Sequence, residues 1–346
     1  MRRMAHPRLH APFHLIVLPL LLLSIGSGVT PPARGADVGT LSDLATGRVV
    51  FVGDSITHGG HYVEYLETLL RLHRPEGRFD FLNLGLPSET LSGLSEPGHA
   101  GGAFPRPDLH ERLGRLLAKT HPTLLVACYG MNDGIYHPYS EERFNAFRSG
   151  LERLRTAAGA AGARVIHLTP PVFDPVPIRS QTLPAGLAEY RSPFVGYNEV
   201  LDRYSLWLLE QRRHGWEVID IHGPMNRRLE LARKSDPSFR LAGDGVHINE
   251  EGHWIMTQGI LRHLGLGDLA EGTSFSTGPA ARNPKAAPLL ALVEKRQRIL
   301  KDAWLNEVGH KRPGMGKGRP LPEAEASARE FDQQARALLG APAATR

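Results

Sequence analysis

A serine, a histidine and an aspartate stand in this sequence where they can form one proton-transfer chain. Gly53-Asp54-Ser55 closes the apolar run Arg48 to Val52. A serine hydroxyl therefore emerges at the carboxyl end of a strand, where the N-terminus of a following helix faces any negative charge that develops. Far downstream, Asp244-Gly245-Val246-His247 precedes a helix expected from about Glu250. A three-residue spacing across a turn lets the carboxylate hold one ring nitrogen, which fixes the tautomer and leaves the other nitrogen to accept the serine proton. Gly130-Met131-Asn132-Asp133 ends a second apolar run, and its side-chain amide is a donor available to an oxyanion. The chemistry open to these residue types is acyl transfer through a serine nucleophile. Each group also has an ordinary structural explanation. Asp54-Ser55 reads equally as an N-cap turn, Asn132-Asp133 as an Asx turn, and with 17 histidines most have no chemical task. Their joint occurrence in one sheet carries the argument.

That sheet is legible from periodicity. Arg48 to Val52, Phe79 to Leu84, Thr123 to Cys128, Arg164 to Thr169 and Glu217 to Ile221 are short apolar runs bounded by Gly, Pro or Asp, as buried strands are. Helical patterns fall between or after them at 61–73, 108–118, 141–160, 190–213 and 249–263. Alternation of strand and helix implies an α/β fold with a parallel sheet of about five strands, helices on both faces, and a ligand site at the carboxyl ends of the strands. The loops from Ser92 to Arg106 and from Pro170 to Pro184 follow strand ends and are expected to shape the pocket.

Four blocks in order resemble those of the SGNH (GDSL-like) hydrolase superfamily: Gly53-Asp54-Ser55, Asn83-Leu84-Gly85-Leu86-Pro87-Ser88-Glu89-Thr90, Gly130-Met131-Asn132-Asp133 and Asp244-Gly245-Val246-His247. The resemblance covers about residues 48–263. It implies a three-layer flavodoxin-like fold and hydrolysis of carboxylic esters, often acetyl groups on carbohydrates and sometimes lipid esters or thioesters, with no metal and no cofactor. It also implies Ser55 as nucleophile, His247 as base and Asp244 as its orienter. The oxyanion hole would be made by the backbone of Ser55, the backbone of residue 88 and the Asn132 side chain. This chain departs from the family at one of these points, because Ser88 occupies a position where the family has glycine. A backbone N–H survives that change, and Gly85 is the fallback donor.

The rest of the chain bounds this reading. Residues 1–36 carry Arg2, Arg3 and Arg8 ahead of an apolar run from Phe13 to Ile25, the layout of a signal peptide, and imply a periplasmic or secreted protein. The run is too short for a membrane span, so none is expected in the mature chain. The formal charge of +5 comes largely from four leader arginines; without them 37 basic residues face 36 acidic ones, which gives no reason to expect nucleic acid as a partner. The expected partner is a small-molecule or polysaccharide ester. Residues 37–267 form the expected catalytic domain. Residues 268–346 form a connector and a basic helical extension, with an apolar stripe from Pro288 to Val308 expected to pack on that domain and a polar helix at 322–339. Cys128, the one cysteine, lies in an apolar run and reads as a small buried hydrophobe. His58 and His61 lack the spacing of a metal motif and read as loop residues. The rival of a different class is a non-catalytic carbohydrate-binding or cell-surface protein on the same fold, against which the complete triad argues.

Overall fold

The computed structural model describes residues 44, 45 and 47–341; the expected leader at 1–36 lies outside them. Strands β1 (Arg48–Gly53), β2 (Asp80–Asn83), β3 (Leu124–Cys128), β4 (Arg164–Leu168) and β5 (Glu217–Ile219) are all parallel and ordered β2-β1-β3-β4-β5. The helices are α1 (Ser55–Gly59), α2 (His61–His73), α3 (Leu109–Thr120), α4 (Glu141–Ala160), α5 (Tyr197–Glu210), α6 (His222–Arg233), α7 (Glu250–His263), α8 (Pro279–Arg282), α9 (Ala286–Val308) and α10 (Leu321–Leu339). This is the flavodoxin-like order, which reverses direction between β1 and β3. No helix among the described residues is long and apolar enough to cross a membrane.

The strands are apolar on both faces because helices cover both. β3 is wholly buried, Cys128 included, and burial pushes the Cys128 thiol well above its ordinary pKa. α2 packs on α7, where Thr257 Oγ1 donates to Tyr62 O at 3.3 Å. On α4 and α5, Phe147 and Tyr204 stack with ring centroids 4.6 Å apart. Several helices start where sequence dictates. Asp54, Asp108, Ser140 and Asn249 each cap a helix by accepting a bond from a backbone N–H of its first turn. The helix expected from 190 begins only at Tyr197, and α6 was not foreseen, although Met225, Leu229 and Ala232 fall at helical spacing. α6 carries no side-chain N-cap, and its short apolar stripe follows β5 almost directly.

The C-terminal extension is tied into this core. β2 is an edge strand with unpaired backbone groups. α9 lies along it: Gln297 Nε2 and Arg296 Nη1 donate to Phe81 O at 3.1 and 3.4 Å. Both side chains also reach Glu67 on α2, which is fully buried and further paired with Arg71. Asp332 on α10 closes the network on Arg71 and Arg296. Leu300, Trp304, Leu305 and Val308 join the main apolar core, and the Arg48 guanidinium lies 5.3 Å over the Trp304 ring. At the helix end, Arg115 and Lys119 of α3 donate to Val308 O and Glu307 O, placing cations where the α9 dipole is negative.

Two outcomes follow from this packing. Deleting residues 286–346 uncovers the β2 edge and leaves Glu67 with one cation fewer, so the truncated protein should melt lower or aggregate; equal melting temperature and monodispersity would make the extension independent. Glu67→Ala leaves the guanidinium groups of Arg71 and Arg296 to share the Asp332 carboxylate and should cost up to about 3–5 kcal/mol, measured by denaturant unfolding.

Candidate active site

The register of the sheet brings the first and third blocks together. Gly53 at the end of β1 pairs with Cys128 at the end of β3, so Ser55 and Asn132 leave adjacent strands at the point where strand order reverses. Ser55 opens α1, with Asp54 as N-cap accepting from Ile56 N at 2.9 Å. Burial pushes the Asp54 carboxyl up to about 7 against that bond, and the Asp133 charge adds to the rise.

His247 lies across from Ser55. Its Nε2 is 2.8 Å from Ser55 Oγ, and its Nδ1 is 2.6 Å from Asp244 Oδ2. The other Asp244 oxygen accepts from the backbone N–H of His247 at 2.8 Å and of Val246 at 3.0 Å. Burial raises the Asp244 pKa, but the bond from the His247 ring and these backbone donations outweigh it and hold the carboxyl below its usual range. Asp244 therefore stays ionised while it orients the ring. The turn itself is seated by Asp174, whose N–H donates to Gly245 O at 2.8 Å and whose carboxylate takes both 2.8 and 2.7 Å bonds from one Arg233 nitrogen. A Cβ on Gly245, at φ 81°, would come within 2.9 Å of Asp174 O. The ring and the carboxylate are more than half exposed, at 55% and 58% of their side-chain surface, so this chain of bonds faces open solvent.

The second block forms a turn beside the carboxyl end of β1. Leu86 N donates to Gly53 O at 2.8 Å, and Glu89 N to Leu86 O at 3.1 Å. With proline at its second position and Ser88 at φ 68° in its third, this is the pattern of a type II turn, whose third residue needs positive φ. The glycine expected at residue 88 by family resemblance is the residue that turn favours, and serine holds the same backbone under strain. Ser88 N–H meets no hydrogen-bond acceptor among the described residues, whereas Gly85 N–H is taken by Asn83 Oδ1 at 3.0 Å. Gly85 answers a different need: a Cβ there would lie 2.4 Å from His58 N.

Asn132 is buried, and its amide is oriented from both ends. Nδ2 donates to Glu89 O at 3.2 Å, and Oδ1 accepts from Tyr136 Oη at 3.0 Å, leaving one N–H of the amide unspent. Asp133 beside it accepts from Leu91 N, Ser92 N and Gly130 N at 2.7, 2.8 and 2.9 Å, which stitches the second block to the third. Burial still pushes Asp133 up to about 6 despite these bonds. Glu89, also buried, receives both 2.6 and 2.8 Å bonds from Arg112 and one of 2.6 Å from Tyr129, and Arg112 also reaches Leu84 O.

Sequence reasoning missed these supports: Asp133, Glu89 with Arg112, Tyr136, and Asp174 with Arg233. Asp133 and Glu89 lay inside quoted blocks, while nothing in the spacing pointed to their distant cationic or aromatic partners. His61 does not join the site; it pairs with Glu64 at 3.1 Å, and Glu294 of α9 completes a group of three within 4.8 Å. His58 lies in the last turn of α1, its pKa pushed down to about 4 by burial and by the charges of Lys301 and Arg312. A groove of about 900 Å³ lies elsewhere, between Arg78, Phe79 and α10, and includes none of the residues named in the four blocks.

The sequence profile of the GDSL-like Lipase/Acylhydrolase family matches residues 51–255. No curated protein matches the sequence. Among solved structures, a gut microbial diltiazem-metabolizing enzyme is similar over 85% of this chain and 89% of its own, at 16% identity and a TM-score of 0.54. An alpha/beta hydrolase enzyme from the metagenome of Lake Arreo, Spain, is 22% identical over 64% of this chain and 97% of its own, with a TM-score of 0.47. An acetylxylan esterase from Geobacillus stearothermophilus is 19% identical over 66% and 96%, with a TM-score of 0.46. The first of these shares the fold. The profile match spans more than half of the chain and contains all four blocks. On that match the chain belongs to the GDSL-like lipase/acylhydrolase family and is a carboxylic ester hydrolase.

Proposed function

We propose that this is an exported esterase that removes short acyl groups, acetyl above all, from a carbohydrate, with Ser55 as nucleophile. The observation that carries the mechanism is the continuous chain from Ser55 Oγ through His247 to Asp244, at 2.8 and 2.6 Å. His247 Nε2 takes the serine proton as Oγ attacks the ester carbonyl, and returns it to the leaving alkoxide as the acyl-serine forms. Water then attacks the acyl carbon, His247 again taking the proton, and Ser55 leaves with it as the carboxylic acid departs. Asp244 stays ionised and holds the ring. The tetrahedral oxyanion of both steps is held by the N–H groups of Ser55 and Ser88 and the free N–H of Asn132. Ser88 is preferred to Gly85 because the Gly85 N–H is already spent on Asn83.

Exposure of the His247 and Asp244 side chains supports a bulky hydrophilic alcohol as leaving group, since a sugar ring can stay in water while its ester enters. Export, read from residues 1–36, would put the enzyme where such polymers are met. Lipid ester or thioester cleavage is the alternative chemistry. Activity on p-nitrophenyl acetate well above that on the octanoate, with acetate released from an acetylated polysaccharide, is the expected result; a preference for octanoate would move the enzyme to lipid esters.

Ser55→Ala and His247→Ala should each remove nearly all hydrolysis from a folded protein, because the two groups act as a unit. Normal turnover by folded Ser55→Ala would end this mechanism. Asn132→Ala should lower kcat by about 10² to 10³, the usual loss for one oxyanion donor, with KM changed much less. Ser88→Gly should keep activity and raise stability by up to about 1 kcal/mol, since glycine adopts positive φ without the penalty serine carries. A lower melting temperature in Ser88→Gly would show that the serine side chain is itself needed.

A further inference from the structure

The C-terminal extension touches the site at two backbone carbonyls. Lys301 of α9 donates through Nζ to His58 O at 2.6 Å, on the last turn of the nucleophile helix. Arg312, in the loop between α9 and α10, donates through Nε to Pro87 O at 2.9 Å. Its guanidinium also lies 5.4 Å over the Phe104 ring, and Nη1 bonds Pro313 O at 3.1 Å, so the side chain is held in place. Pro87 O belongs to the peptide unit whose other end is the Ser88 N–H. Because that unit is planar and trans, fixing the oxygen fixes the opposite direction for the N–H.

This peptide has two accessible orientations. Types I and II turns share their end residues and differ by a flip of the central peptide, type II requiring positive φ at the third residue. Glycine accepts that φ freely, whereas an L-residue favours type I. With serine at 88, local preference therefore works against the orientation observed at φ 68°, and something outside the turn must hold it.

We propose that Arg312 is a positioning residue for the oxyanion hole: it grips Pro87 O and so keeps the Pro87–Ser88 peptide in the type II orientation that aims the Ser88 N–H at the reacting carbonyl. The proposal rests on Ser88 as an oxyanion donor. It assigns a task in the active site to a residue far outside the four blocks, and it makes the loop at 310–319 part of the catalytic scaffold. A bond from a cation to the carbonyl also polarises the peptide and strengthens the N–H as a donor.

The test is a double-mutant cycle on p-nitrophenyl acetate in the full-length protein. Arg312→Ala should lower kcat about tenfold, the population shift that the left-handed penalty of an L-residue implies, with KM within about twofold and melting temperature little changed. Arg312→Met, which keeps the stem against Phe104, should do the same and serves if the alanine variant folds poorly. In the Ser88→Gly background the loss on Arg312→Ala should shrink to about twofold or less, because glycine holds the turn without help. An unchanged kcat in both Arg312 variants, or an equal loss with Ser88 and with Gly at position 88, overturns the proposal. A separate arm replaces the Ser88 amide by an ester, through glyceric acid installed at position 88. Full turnover there overturns Ser88 as a donor; lost turnover there together with fully active Arg312 variants overturns only the role of Arg312.

Discussion

The pairing of β1 with β3 is the constraint on which the site depends. Five matched residue pairs from Val49↔Leu124 to Gly53↔Cys128 fix the relative height of two strand ends. A slip of one residue would send every side chain of the strand to the opposite helix layer and would carry Ser55 away from Asn132. Hence the apolar content of these strands does more than stabilise the sheet: it sets the distance between a hydroxyl on one connection and an amide on the next. The α helices on either face make the register expensive to change, since Phe51 and Val52, which point to opposite faces of the sheet, are both fully buried.

Beyond the strand ends the backbone is irregular, and there charge takes over from apolar packing. Two buried carboxylates do most of this: Asp133 gathers three backbone N–H groups from two loops, and Glu89 fastens its loop to Arg112 and Tyr129. Each is expensive to bury, as the raised pKa of both shows. The cost is met because every bond fixes a segment that bears on the site. Removing either carboxylate would free the loop and also leave its donors without acceptors, so such sites are poor choices for isolating a catalytic effect.

Most of the fold was legible because its signals are local. The five strands and the helices at 61–73 and 141–160 stand at or close to the positions that apolar runs and periodicity predict, and the four blocks identified the family. What escaped is what depends on distance in sequence. α6 has a three-residue apolar stripe and no cap, so its existence is decided by the surface it covers. The links from Arg233 to Asp174, Arg112 to Glu89 and Arg312 to Pro87 join residues 59, 23 and 225 positions apart, and no spacing rule announces them. The stripe on α9 did announce that it needed a surface; that the surface combines α2, the free edge of β2 and α10 required the tertiary arrangement.

The departure at Ser88 shows how a local misfit can be read as information about the whole. A serine in a left-handed turn is unfavourable by about 1–2 kcal/mol, and strain of that size persists only where neighbours over-determine the conformation. Here the neighbours are identifiable. Leu86 N on Gly53 O and Glu89 N on Leu86 O close the turn, Arg112 holds Leu84 O and Glu89, and Arg312 holds the central carbonyl. The first three lie within the catalytic fold and would act equally on a glycine or a serine, in either turn orientation. Only the last discriminates between orientations, because it bonds the one carbonyl that moves when the peptide flips. A chain that carries serine at this position therefore has more need of a contact to Pro87 O than one that carries glycine, and the extension that supplies it is anchored independently by Glu67 and the β2 edge.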